Sequence, residues 1–217
     1  MKAKLTLFAA VLSIFIFNCS LLSFAEGPAS IQLPAPQKQG GKPLMAALSE
    51  RMSGRSFTGE KLPMQTLSNL LWAAFGINRP DGRRTAPSAK NWQETDVYVA
   101  TPDGAYLYDA AKNTLNPVVT KDIRAMTGTQ PFVKDASVNL IYVSDYSKIG
   151  EGSTDKQILI GADVGVIAEN VYLFCASEGL ATVLRAGIDR DQLAKELKLG
   201  PDRKITFAQS VGYPKKQ

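Results

Sequence analysis

Apolar residues recur along this chain with two different periods, and the alternation between them predicts the fold. Leu67, Leu70, Leu71, Ala74 and Phe75 fall at i, i+3, i+4, i+7 and i+8, the spacing of a one-faced amphipathic helix. Pro63 stands near its start, and Gly76 is expected as its left-handed cap. The run Leu44-Met45-Ala46-Ala47-Leu48 predicts another short helix. The pattern then changes. Asp96–Ala100 and Ala105–Asp109 are aromatic and β-branched, and they flank Thr101-Pro102-Asp103-Gly104, so a hairpin is expected. Lys121–Thr127 predicts a short helix and Val138–Ser144 a strand. Asp155–Ser177 is the longest helix. Ile158, Leu159, Val164, Val166, Ile167, Val171, Leu173 and Phe174 put apolar groups on several of its sides, which predicts a central, largely buried element. Its small residues Gly161, Ala162 and Gly165 permit close approach of another element. Gly179 caps it, and Ala181–Arg185 reads as a strand. Asp189, with Gln192 three residues on, opens a helix over Arg190–Leu199 that Gly200 closes. Lys204–Val211 is the last strand. Interleaved helices and strands with an inserted hairpin predict an α+β fold with a mixed sheet.

The periodic region is bounded by segments of another kind. Lys2 and Lys4 precede the apolar stretch Leu5–Phe17, and Ser23-Phe24-Ala25 is a small-x-small cleavage site. Residues 1–25 therefore read as a secretory signal peptide cleaved after Ala25, which predicts an exported, periplasmic or extracytoplasmic protein with no membrane span in the mature chain. Residues 26–43 are rich in proline and glycine without periodicity, and are expected as a tether or irregular arm. Residues 44–217 form one domain of ordinary size. Within it, Ile77–Gln93 is polar, turn-rich and too long for a casual connection.

Composition removes several chemistries. The chain of 217 residues contains no histidine, which excludes Ser-His-Asp and Cys-His catalysis and disfavours a zinc site. Cleavage would remove Cys19 and leave Cys175 alone, so no internal disulfide forms. Cys175 lies in an apolar helical stretch and reads as a buried small hydrophobe. The net charge of +5 is spread along the chain, and gives no argument for nucleic acid.

Four segments carry candidate chemistry. Arg51-Met52-Ser53-Gly54-Arg55 places two guanidinium groups around a hydroxyl, which suits either a phosphate or a solvated basic helix end. Arg83–Gln93 concentrates hydrogen-bond donors before a strand. Glu178-Gly179-Leu180 lies where the longest helix gives way to a strand. Val211–Gln217 ends in Lys215 and Lys216.

Taken in order, these segments match a pattern. Arg-x-Ser-x-Arg is followed by Leu-Leu-Trp-Ala-Ala-Phe-Gly-Ile-Asn and Pro-Ser-Ala-Lys-Asn-Trp-Gln. Gly-x-Ile-Ala-Glu-Asn-Val-Tyr-Leu, Glu-Gly-Leu-Ala-Thr and Val-Gly-Tyr-Pro then complete it. The series, from about Leu44 to Lys215, resembles the flavin-dependent nitroreductases, in particular the compact branch that includes azoline (SagB-type) dehydrogenases. That resemblance implies a mainly antiparallel sheet packed with helices, and a homodimer with FMN between protomers. It implies that Arg51, Ser53 and Arg55 hold the phosphate and the pyrimidine side of the ring, with Met52 contributing its backbone. It implies that Pro87, Ser88 and Asn91 reach FMN from the other protomer. It further implies that the backbone of Glu178 and Gly179, with Leu180 following them, faces flavin N5, and that Lys215 or Lys216 adds phosphate charge. The implied activity is ping-pong hydride or electron transfer to a small molecule or peptide from an unidentified donor. The alternative is a flavin carrier with the same fold and no turnover. No catalytic acid or base is identified.

Overall fold

The alternating residues of Val138–Asp145 (β5) bury both of their faces, and the rest of the molecule is arranged around them. Val138, Leu140 and Tyr142 join one apolar cluster, and Ile141 and Val143 join another on the opposite side. The computed structural model describes residues 29–150 and 155–216, so the signal peptide expected over residues 1–25 lies outside them.

The other strands are β1 (Ile31–Gln32), β2 (Thr95–Thr101), β3 (Gly104–Asp109), β4 (Thr114–Val119), β6 (Ala181–Arg185) and β7 (Arg203–Gly212). They form one seven-stranded sheet in the order β1-β4-β3-β2-β5-β7-β6. Every strand pairing among the described residues is antiparallel, a simpler sheet than the mixed one expected. The helices are α1 (Leu44–Glu50), α2 (Met64–Phe75), α3 (Lys156–Glu178) and α4 (Arg190–Glu196). α2 and α3 cover one face of the sheet, and Leu193 of α4 packs on the other. The fold is α+β, as the alternating patterns predict.

All five apolar positions predicted for α2 are buried. Gly76, however, is extended (φ −73°, ψ 164°) rather than left-handed. A Cβ there would collide with Trp72, so close approach explains this glycine. The helix expected over Lys121–Thr127 shrinks to a 3-10 turn at Arg124–Thr127. Asp122 holds that turn by accepting from the Arg124 backbone N–H (2.9 Å) and its guanidinium. Asp189 caps α4 as expected, accepting from Gln192 N–H at 3.0 Å.

β4 and β1 were not anticipated. Pro117 breaks the pattern of β4, but only the two residues of β1 pair with its outer side, so a missing N–H is tolerated there. The described part of the lead, Ala29–Pro43, is a strap lying against the fold. Leu33 is buried. Asn113 Nδ2 donates to Pro34 O (2.8 Å), Gln37 N–H to Asn69 Oδ1 (2.8 Å) and Lys42 N–H to Ser177 Oγ (2.8 Å).

α3 is central but not largely buried. Ile160, Asp163, Val164, Ile167, Ala168, Val171 and Cys175 face inward. Gln209, on β7, donates to Ala168 O (3.2 Å) and accepts from Tyr142 (2.6 Å), locking helix to sheet. The outward face leaves Ile158 70% and Val166 39% exposed. Gly161 and Gly165 meet no neighbour there. Leu44, Met45 and Leu48 of α1, which packs beside α3, are exposed as well. By length and composition α3 could cross a membrane, but its inner face is occupied by the sheet.

Asn113 holds the strap by one side chain and turns the chain at φ 52°. Asn113→Ala should lower stability by about 1–3 kcal/mol, through a lost bond and a strained backbone. Thermal unfolding measures this, and proteolysis within residues 29–43 should accelerate.

Candidate functional site

The chain leaves α1 at Arg51 in an extended conformation and is sewn between two distant parts of the fold. Gly54 N–H donates to Thr182 O of β6 (2.9 Å), and Thr58 N–H to Tyr213 O (3.0 Å). Lys215 N–H donates to Ser56 O (3.3 Å), and buried Phe57 bridges to Pro214. A Cβ at Gly54 would sit 2.8 Å from Ala181 Cβ, so this approach requires glycine.

These stitches enclose a pocket of about 480 Å³, within the usual range for small-molecule sites. Met52, Ser53, Arg55, Gly179, Leu180 and Lys215 line it, together with Lys216, Tyr172 and Thr182. Arg51 stands beside it, its guanidinium 5.3 Å from the Tyr172 ring centre. Tyr172 OH accepts from Leu184 N–H (2.9 Å) and lies 3.0 Å from Ser53 Oγ. When the tyrosine donates to Ser53, the serine proton is left for a ligand. Among the described residues the one lining carboxylate is Glu50, and Lys42 already pairs with it at 2.5 Å. Arg55, Lys215 and Lys216 therefore give the pocket a cationic side, and its chemistry suits an anion.

The other wall is backbone. Gly179 is left-handed (φ 70°), as the sequence predicts, and its N–H donates to Cys175 O. Leu180 N–H donates to the same carbonyl at 2.8 Å. A side chain at 179 would be strained in this conformation, and its absence leaves the helix end open to a flat ring. Burial pushes the Cys175 thiol well above its usual range, so it is an inert core group as expected.

Four predicted site residues lie elsewhere. Glu178 faces a neighbouring groove of about 490 Å³ with Ser177, Trp72 and Lys38. Pro87, Ser88 and Asn91 do not line the pocket. Their loop packs against the N-terminal half of α3, where Asp163 Oδ2 accepts from Ala89 N–H (2.8 Å). At about 1.5 Å per residue, Asp163 and Gly179 are roughly 24 Å apart along the helix. Within one chain the loop and the pocket are thus held at different places along α3. Arg84, in the same connection, is structural: it donates to Phe75 O (2.9 Å) and Gln93 Oε1 (2.9 Å).

Sequence reasoning missed Tyr172, whose only signal was its place two turns before the Gly179 cap. It also missed a buried acid pair. Glu94 is fully buried, with Oε2 lacking any hydrogen-bond partner, and the charge of nearby Asp163 acts on it. Burial pushes both carboxyls above the usual carboxylate range.

The model of the Nitroreductase family matches residues 48–213. A nitroreductase-family protein of Methanocaldococcus jannaschii is 28% identical over 163 residues, covering 70% of this chain and 82% of that one. A solved structure of a nitroreductase-family protein from Ralstonia eutropha is 40% identical. It superposes with a TM-score of 0.82, over 87% of this chain and 90% of that one. The NADPH:FMN oxidoreductase of Vibrio harveyi, solved with NAD+, shares the fold at 20% identity. Its TM-score is 0.59, over 80% of this chain and 69% of that one.

A carboxyl whose folded pKa is raised favours the folded state while protonated. That contribution is full below the unfolded range near pH ~4, and is lost as pH rises to the raised folded value. Glu94→Gln should therefore lose less stability than the unsubstituted protein as pH rises from about 4 to 7. Because Asp163 is coupled to Glu94, the same comparison of melting curves made in an Asp163→Asn background isolates Glu94.

Proposed function

The chain belongs to the nitroreductase family, whose members are flavin-dependent oxidoreductases, and from that premise we propose that it is an exported, homodimeric FMN oxidoreductase acting on a small molecule or peptide. One observation carries the reading. Ser53 and Arg55 converge with Lys215, far from them in sequence, on one pocket with the bare backbone of Gly179 opposite.

The residues fit the cofactor. Arg55 and Lys215, with Arg51 beside them, supply charge-assisted donors for a phosphate, and Ser53 supplies a hydroxyl. The Gly179–Leu180 backbone offers a flat approach for the ring. FMN, when bound, supplies the hydride chemistry. The protein's part is to orient the ring, hold cationic donors near its pyrimidine edge and leave one face open. The Vibrio harveyi neighbour, an NADPH:FMN oxidoreductase, supports FMN as the flavin. A peptide acceptor accords with the likeness to azoline dehydrogenases.

The dimer reading rests on the outer face of α3. Two solvent-open glycines inside a helix each cost about 1 kcal/mol relative to alanine, and nothing within the protomer requires them. Packing against a second copy gives a reason for Gly161, Gly165 and the exposed Ile158 and Val166. A two-fold pairing of α3 with its copy would also carry the Pro87–Asn91 loop of one protomer toward the partner's pocket. The apolar Leu5–Phe17 segment and the Ser23–Ala25 site support export.

Purified protein should be yellow and take up FMN. Arg51→Ala with Arg55→Ala should weaken FMN binding at least ~100-fold while the melting temperature without FMN stays within a few degrees, because no core is touched. Unchanged affinity would refute the assigned site. Reduction of the bound flavin by NADPH, or by dithionite alone, separates an enzyme from a carrier. Val166→Glu should yield a monomer in sedimentation, with FMN binding lost alongside.

A further inference from the structure

We propose that Asp163, backed by Glu94, is a positioning residue that acts across the subunit boundary, fixing the Pro87–Asn91 loop that completes the partner's flavin site. The inference rests on the dimeric FMN reading above, and deepens it.

The loop is held in an unfavourable shape. Lys90 (φ 50°), Asn91 (φ 56°) and Gln93 (φ 47°) are all left-handed without being glycine. Such a backbone persists only where its surroundings over-determine it. Most of the ties come from within the same connection. Gln93 N–H donates to Ser88 Oγ (2.9 Å), Gln93 Nε2 to Asn91 Oδ1 (3.1 Å), and Arg84 Nε to Gln93 Oε1 (2.9 Å). Two ties come from outside: Lys148 Nζ donates to Gln93 O at the loop's end (3.3 Å), and Asp163 binds the backbone of Ala89 in its middle. The loop thus rides on α3, the helix whose outer face the dimer would share. Pro87 and Asn91 remain exposed and free to meet another chain.

Asp163 is itself held. It is 9% exposed and faces Glu94, which is wholly buried. Glu94 Oε1 accepts from Thr95 Oγ1 at 3.2 Å, its second oxygen has no hydrogen-bond partner, and the nearby Asp163 charge joins burial in holding the carboxyl above its usual range. Burial disfavours the charged form of both carboxyls, and each makes ionisation of its neighbour costlier. With the proton on Glu94, the deeper of the two, the negative charge stays on Asp163, which accepts from Ala89 N–H. Burying an acid pair has no use for the protomer's own pocket, which lies at the far end of α3. It has a use if the loop must be presented rigidly to a neighbour.

Mixed dimers test this. Asp163→Ala chains and Arg51→Ala/Arg55→Ala chains, separately tagged and co-expressed, are isolated as heterodimers and titrated with FMN. Each homodimer should bind at least ~10-fold more weakly than unsubstituted protein. The heterodimer should regain one full-affinity site per dimer, because one pocket then combines an intact clamp with an intact loop. A heterodimer that regains no site, while the unsubstituted dimer binds two FMN, would place the effect of Asp163 within its own protomer and overturn the inference alone. Unsubstituted protein that refuses FMN would overturn the flavin reading and this inference with it. Asp163→Asn keeps an acceptor of the same size for Ala89 and tests the role without risk to folding. It should retain affinity within about threefold, and a larger loss would also overturn the proposal.

Discussion

The structure depends on a mismatch between one helix and one sheet. α3 is apolar on nearly all sides, yet a flat sheet can cover only one of them. The covered side is well matched: Ile160, Val164, Ile167 and Val171 are all at most 3% exposed, and the Tyr142–Gln209–Ala168 hydrogen bonds lock them in place. The uncovered side is what makes a second copy necessary in the proposed reading. The helix also sets the geometry of the site. Its C-terminal end, broken at Gly179, forms one wall of the pocket. Its N-terminal half carries the Pro87–Asn91 loop. A rigid rod of fixed rise keeps these two features apart in each protomer, which in the proposed dimer would let one protomer's loop serve the other's pocket.

Period and punctuation in the sequence disclosed most of the fold, but not its edges. α2, the β2–β3 hairpin, β5, β6 and the Gly179 cap were legible because each has a dense local signal. β1 and β4 were not, because Pro117 interrupts one and the other is only two residues long. The Ala29–Pro43 strap looked unstructured because its ties are made by Ser68, Asn69, Asn113 and Ser177, all distant in sequence. For the same reason the half-covered state of α3 could not be read. Its apolar residues announce burial without saying whether the cover comes from the same chain.

The pocket was legible to a different degree. Arg51, Ser53, Arg55 and Lys215 were found through an ordered series of motifs, not through spacing alone. Tyr172 and Gly54 escaped notice, because one is an ordinary helix aromatic and the other an ordinary loop glycine. Only contact with Arg51, Ser53 and Ala181 gives them a role. The acid pair escaped for a further reason. An isolated glutamate before a strand and an aspartate inside a helix read as surface groups, and nothing in a one-dimensional pattern places them together. Such buried acids stand out once depth and unmet hydrogen bonds are known.

The stitching of Ser53–Thr58 to Thr182 and to Tyr213–Lys215 has a consequence for how the protein comes into being. The pocket draws on the first helix exit, the strand after α3 and the last few described residues, so its closure needs contacts between parts of the chain made first and last. Such long-range closures form slowly. A growing polypeptide has no pocket to fill, and uptake of any ligand there can only follow complete folding. Occupancy then reports a finished molecule. A bound ligand would oppose global unfolding rather than local fraying, because opening any one of the three seams opens the site.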